Sequence, residues 1–292
     1  MAETLLTALA VFLRIIANPA ENVFQKQLTV RGTHPLLVNF LTYALLSCVC
    51  FAMAFNTKWD GLPTQFWMYS VLGGMAGALG NGFLVRALQR GDLSVLGPIN
   101  SYKSVIGVLF GIFLLGEIPN RWGILGITLI ICGSYFVLDT TPEKFPGKLL
   151  QKPEIQYRLW AMVLTAIEAV FVKKIILASS TLLAFMSWCF FGAAFSLLLL
   201  FVYRLDIRKE VARVERRDFG TYLYLLVCMG TMQLTTNYAF AHMAVGYALS
   251  LFQLSTLVSV LLGYRIFQEG DMRKKLAGSI LMIAGSVVII LL

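Results

Sequence analysis

Histidine occurs only twice in these 292 residues, as His34 and His242. The five cysteines, Cys48, Cys50, Cys132, Cys189 and Cys228, all fall inside apolar runs, and none are spaced CxxC. That pattern speaks against a metal centre, a disulfide framework and a thiol redox motif. It also leaves an intramembrane enzyme without a base or a ligand set, so no catalytic residue, metal or cofactor is expected. Charge is scarce too. Asp, Glu, Lys and Arg make up 13% of the chain, about half of what a soluble domain carries. The start has neither a basic leader nor a small-residue cleavage site, so no removable signal peptide is expected.

Apolar residues are abundant: 58% of the chain, with a mean hydropathy of +0.77. One soluble core cannot hide that much apolar surface, so the solvent must be lipid. The apolar runs are continuous and do not alternate with period two, which favours helices over a barrel. A helix needs roughly 20 residues to span. Ten runs qualify, at 4–26, 35–55, 65–88, 94–115, 121–139, 157–178, 180–203, 218–242, 246–267 and 273–292.

The net charge of +9 does not point to nucleic acid, because its placement follows the loops. If the ten spans alternate, Lys58, Arg121, Lys173 and Lys174 lie on the amino-terminal side. Eighteen Lys and Arg residues lie opposite; with Arg14 and Lys103 inside spans, these make up the 24. The positive-inside rule then places both termini outside the cytoplasm. Residues 204–218 alone hold six basic and four acidic side chains, the composition of a helix lying against anionic lipid.

The chain repeats itself. AENVFQKQL at 20–28 echoes IEAVFVKKI at 167–175, matching Glu21 with Glu168 and Lys26 with Lys173. Further on, an offset of 152 matches Gly111, Glu117, Arg121, Gly126, Gly133 and Ser134 with Gly263, Glu269, Arg273, Gly278, Gly285 and Ser286. A five-helix unit used twice must cross the bilayer in opposite senses, the inverted-repeat plan of many transporters. This divides the chain into a first repeat, 1–139, a linker, 140–156, and a second repeat, 157–292. The stretches GDLSVLGPINSYKSVIGVLFGIFLLGE, LLGEIPNRWGILGITLIICGSYFVL and FQEGDMRKKLAGSILMIAGSVVII resemble the EamA-type repeat of the drug/metabolite transporter superfamily. The resemblance implies an all-α membrane protein with ten transmembrane helices as two inverted five-helix repeats around a substrate cavity. It also implies cytoplasmic termini, opposite to the charge count.

Polar residues at membrane depth mark the candidate site. A charge at a span centre costs roughly 2.5–3.5 kcal/mol on insertion scales and needs a partner or a wet cavity. Lys103 lies nine residues into its span, after Pro98 and among Asn100, Ser101, Tyr102 and Ser104. Its repeat equivalent is Ser255, so symmetric scaffolding does not explain it. Either it binds substrate or it pairs with a buried acid, of which Glu168 is the deeper. Arg14, Asn18, Glu21 and Gln25 fall at i, i+4, i+7 and i+11, one face of a helix that Pro19 interrupts. Glu21 and Glu168 resemble the coupling acid in the first helix of small multidrug resistance proteins; Glu168 is equally readable as a structural ion-pair partner, and Glu21, nearer a helix end, as a solvated charge. Gln233, Thr235, Thr236, Asn237 and His242 in the eighth span, and Gln253, Ser255, Thr256 and Ser259 in the ninth, form a polar cluster that either lines a cavity or glues helices together. Gly73, Gly74, Gly77, Gly80 and Gly82 let helices approach.

The sequence therefore reads as a secondary transporter of small polar metabolites, anionic or zwitterionic, working by alternating access. Lys103, Tyr102, Asn100, Asn237, Gln253 and Arg14 are the expected substrate residues, and Glu168 and Glu21 the coupling acids. The rivals are a cation-selective multidrug exporter with Lys103 held in an ion pair, and a non-transporting membrane scaffold. The partners are a small molecule and the lipid bilayer, not nucleic acid; the chain is a monomer or homodimer in a bacterial inner membrane.

Overall fold

The computed structural model describes residues 2–55, 57–102, 121–138, 151–243 and 245–291. The helices are α1 (Ala2–Val30), α2 (Pro35–Ala54), α3 (Thr64–Arg90), α4 (Leu93–Ile99), α5 (Arg121–Leu138), α6 (Pro153–Ala178), α7 (Thr181–Val202), α8 (Ile207–Ala212), α9 (Arg216–His242), α10 (Val245–Phe252), α11 (Ser255–Phe267) and α12 (Met272–Leu291). All but α8 fall on the ten expected spans, α10 and α11 together on the ninth, with the fourth described only through Tyr102. Four of them, α1, α2, α3 and α7, are long and apolar enough to cross a membrane by length and composition. The outer surface is apolar: Leu5, Phe12, Leu177, Phe201 and Phe219 are all more than half exposed. An apolar coat of this kind belongs against lipid.

Local chemistry sets the helix ends. Pro35 opens α2 behind a His34 ring that accepts the Leu36 amide, and Ser180 accepts the Leu183 amide at the start of α7. Glu215 and Asp218 close a reciprocal capping box on α9. The short α8, capped by Asp206, buries none of its residues, as an interfacial segment should. α1 runs through Pro19 unbroken; the proline lies on its buried side. α6 begins at Pro153, ahead of the expected sixth span, so Arg158 stands more than a turn inside the helix.

The two halves interlock. The main contacts include α3 with α6, α12 with α5, α1 with α9, α2 with α7, and α11 with α4, and α3 also packs on α7. In repeat terms, third meets first, fifth meets fifth, first meets third, second meets second and fourth meets fourth. Every one joins opposite halves. Glycine permits the tightest of them. A Cβ on Gly133 would lie 2.6 Å from the Gly278 carbonyl, and one on Gly285 2.5 Å from the Gly126 carbonyl. The glycines of α3 fit α6 in the same way: Gly73 faces Phe171, Gly77 faces Glu168 and Gly80 faces Thr165.

Candidate substrate cavity

A cavity opens where the halves meet. α1 supplies Arg14, Asn18, Glu21 and Asn22; α6 supplies Arg158, Thr165 and Glu168. Asn81 of α3, Gln233 and Thr236 of α9, and Asn100 at the end of α4 complete its polar wall. The apolar wall is aromatic, from Tyr43, Trp188, Phe240 and Phe252. Glu21 and Glu168, the matched acids of the two repeats, thus share one chamber.

Glu21 is 1% exposed, and one of its oxygens accepts from Gln25 at 3.1 Å. The Gln25 amide also reaches Asn81 at 3.3 Å, Asn81 donates to Asn39 at 2.7 Å, and Asn39 donates to the Ala78 carbonyl at 3.0 Å. The relay tethers Glu21 to α2 and α3. Its second oxygen and the Asn22 side-chain oxygen are buried without a hydrogen-bond partner among the described residues. Glu168 accepts the indole N–H of Trp188 and rests over Gly77, where any Cβ would overlap its carboxylate. Arg14 donates to Thr236 at 3.2 Å and lies 4.5 Å above the Phe252 ring, while its Nη1 is buried without a partner among the described residues. Buried polar atoms left unmatched are costly, and several of them lining one chamber is what a polar ligand would satisfy.

The fourth and ninth spans break beside this chamber. α4 ends in tight turns at Asn100 and Ser101, and α10 gives way to α11 at Gln253 and Leu254. Gln253 donates to the Asn100 carbonyl at 3.4 Å and accepts from Ser101 at 3.5 Å. Discontinuous helices at a repeat interface are where inverted-repeat transporters place their sites.

Glu269 ties the two halves together at one end of the structure. It lies in the turn between α11 and α12, flanked by Gln268 and Asp271 with left-handed φ of 55° and 58°. Its carboxylate accepts the Leu93 and Ser94 amides, both at 2.8 Å, the Ser94 hydroxyl, and Lys26 Nζ at 2.9 Å. Burial pushes this carboxyl up, but Lys26 and Ser94 outweigh it and hold it below its ordinary range. Lys26 also donates to the Gly91 carbonyl, and its repeat partner Lys173 donates to the Met243 carbonyl, the equivalent of Gly91 at the opposite end.

Of the residues expected from sequence, Arg14, Asn100, Glu21 and Glu168 line the cavity. Gln253 lies just behind Asn100. Asn237 faces elsewhere: it accepts from Gln233 at 3.0 Å and donates to the Thr181 carbonyl at 3.2 Å, joining α9 to α7. Tyr102 packs against the apolar cluster around Leu96 and Ile99. Lys103 lies outside the described residues. His242 stacks on Tyr238 at 4.1 Å at the end of α9, away from the chamber. Sequence reasoning missed Arg158, Trp188, Tyr43, Asn22 and Asn81. A signal for Arg158 existed, since 158, 165, 168 and 172 follow one helical face.

The sequence matches the EamA-like transporter family over residues 6–139 and again over 153–291. A curated relative, described as an uncharacterized transporter in the cobO 3'region of a Sinorhizobium species, is 27% identical over 96 residues, 32% of this chain and 68% of that protein. A protein of known crystal structure is similar in fold, with a TM-score of 0.64 and 16% identity over 98% of this chain and 96% of that one.

Proposed function

The chain belongs to the EamA-like transporter family and is a multi-pass membrane transporter, and on that premise we propose that it moves small polar metabolites, anionic or zwitterionic, by alternating access between its two halves. One observation carries this reading. Both signs of charge, Arg14 with Glu21 and Glu168, line a single chamber contributed by both repeats. A zwitterion matches such walls, and the unmatched oxygens of Glu21 and Asn22 would accept its N–H groups. Glu21 and Glu168 are the coupling acids of this proposal. Asn100, Gln253 and Tyr102 stand at the helix break, Asn237 supports α9, and Lys103 is retained on sequence grounds. The domain plan of two repeats, 1–139 and 157–292, joined by a linker follows the same reading, as does a monomer or homodimer in a bacterial inner membrane with the face bearing residues 204–217 in the cytoplasm.

The aromatic wall of Tyr43, Trp188 and Phe240 beside two acids favours a second reading, export of lipophilic cations. Purified protein in proteoliposomes separates the two. Counterflow of polar metabolites, lost in Glu168→Gln and in Lys103→Met, is expected. Exchange of tetraphenylphosphonium alone would establish the cation exporter, and no exchange of either class would leave a scaffold.

A further inference from the structure

We propose that Arg158 anchors the anionic group of the transported molecule, a carboxylate or phosphate oxyanion. The proposal rests on the transporter reading above and deepens it. Arg158 stands five residues into α6, lines the chamber and is 7% exposed. Its Nε donates to the Leu96 carbonyl at 2.8 Å. That carbonyl belongs to the last turn of α4, where the helix breaks and its own acceptors run out of amides. A guanidinium carries five N–H donors in a planar fork. The contact with Leu96 takes Nε, and among the described residues no further hydrogen bond occupies the two terminal nitrogens of this chamber-lining side chain.

Several other basic residues have a carboxylate or an aromatic ring as partner. Lys26 pairs with Glu269 at 2.9 Å, Arg31 with Asp218 at 3.1 Å and Arg213 with Glu210 at 2.6 Å. Arg86 lies over the Tyr203 ring at 4.5 Å. Among the described residues, no carboxylate oxygen comes within 4 Å of Arg158. An uncompensated buried cation is expensive, and arginine cannot escape by losing its proton. Nor does the internal symmetry require it: at the offset that matches Glu21 with Glu168, its equivalent is Val11, a buried apolar residue. A helix-capping duty alone is also met by any single N–H donor. What singles out arginine is a bidentate oxyanion partner.

The test uses full-length protein in nanodiscs of neutral lipid, which removes anionic headgroups as a competing source of phosphate. Thermal unfolding is followed with pyruvate, glycerol 3-phosphate and, as the uncharged control, glycerol. Pyruvate or glycerol 3-phosphate should raise the wild-type midpoint and glycerol should not; which anion acts distinguishes carboxylate from phosphate. Arg158→Gln retains a donor for Leu96 and loses the charge. Its midpoint without ligand should equal or exceed that of wild type, and its apparent affinity for the anion should fall at least about tenfold. Arg158→Lys should recover part of the response. An equal anion response in Arg158→Gln, a wild type indifferent to both anions, or a lowered midpoint in Arg158→Gln with affinity retained would each overturn the assignment. Counterflow in the same variants separates this failure from that of the transporter reading. Exchange that persists in Arg158→Gln removes only the anchor, whereas no exchange of any substrate by wild type removes both.

Discussion

Ser101 donates its hydroxyl to the Gln253 side chain at 3.5 Å, and the two lie 152 residues apart, the interval that aligns the repeats. Equivalent positions therefore touch each other, which places both on the axis relating the halves. Each is also where its helix breaks. The broken ends are joined to one another by side chains, so movement of one break is felt at the other.

Gln253→Leu keeps the volume but leaves the Asn100 carbonyl and the Ser101 hydroxyl unmatched. A loss of about 1–3 kcal/mol is expected, read as a lower unfolding midpoint with unchanged helical content. Adding Ser101→Ala should cost little more, because the bond is already gone. Full additivity of the two substitutions would show that the pair is not coupled.

Acid should release Glu269. Its folded pKa is depressed, so its contribution is complete above the ordinary carboxylate value of ~4.3 and is lost as pH falls through the lower folded value. The unfolding midpoint of wild type should therefore drop below about pH 4. Glu269→Gln removes the counter-charge of Lys26 and should cost about 3 kcal/mol at neutral pH. It should also flatten the acid limb that Glu269 contributes. An unchanged acid limb in this variant would assign the effect to other carboxylates.

Glycine substitutions should divide into two kinds. Gly77→Ala pushes the Glu168 carboxylate off its bond with Trp188, so counterflow should fall at least about tenfold with only a modest change in stability. Gly133→Ala forces α5 from α12 and should cost about 1–3 kcal/mol, with transport per folded molecule preserved. Reversal of these two phenotypes would place the transport machinery at the α5–α12 seam.

Orientation follows from labelling. In a cysteine-free background, Ser180→Cys should react with an impermeant thiol reagent in intact cells, and Lys209→Cys should react only after permeabilisation. The opposite result would put the basic face outside and favour the cytoplasmic termini implied by the family resemblance.

The helices were legible because each apolar run is long and the repeat supplied a second witness for half of them. Arg14, Glu21 and Glu168 were legible because charge inside an apolar run costs energy and so signals itself. Arg158 was not: as the second residue of the expected span 157–178, beside a basic linker, it reads as a solvated helix-end charge until the true start at Pro153 is known. Asn237 was ambiguous for the opposite reason, since a polar side chain at membrane depth bonds equally well to a neighbouring helix as to a ligand. The aromatic wall was invisible in a chain where Phe, Trp and Tyr are common everywhere.

The crossed pairing of the halves has a consequence for synthesis. While the ribosome is still making α6 onward, α1 has no α9 to rest against and α3 has no α6. The half-made chain must wait in the bilayer with Arg14 lacking Thr236, the glycine face of α3 uncovered and Glu21 turned toward lipid or toward whatever accompanies insertion. Maturation is therefore a late event, complete only once α11 and α12 arrive to cover α4 and α5.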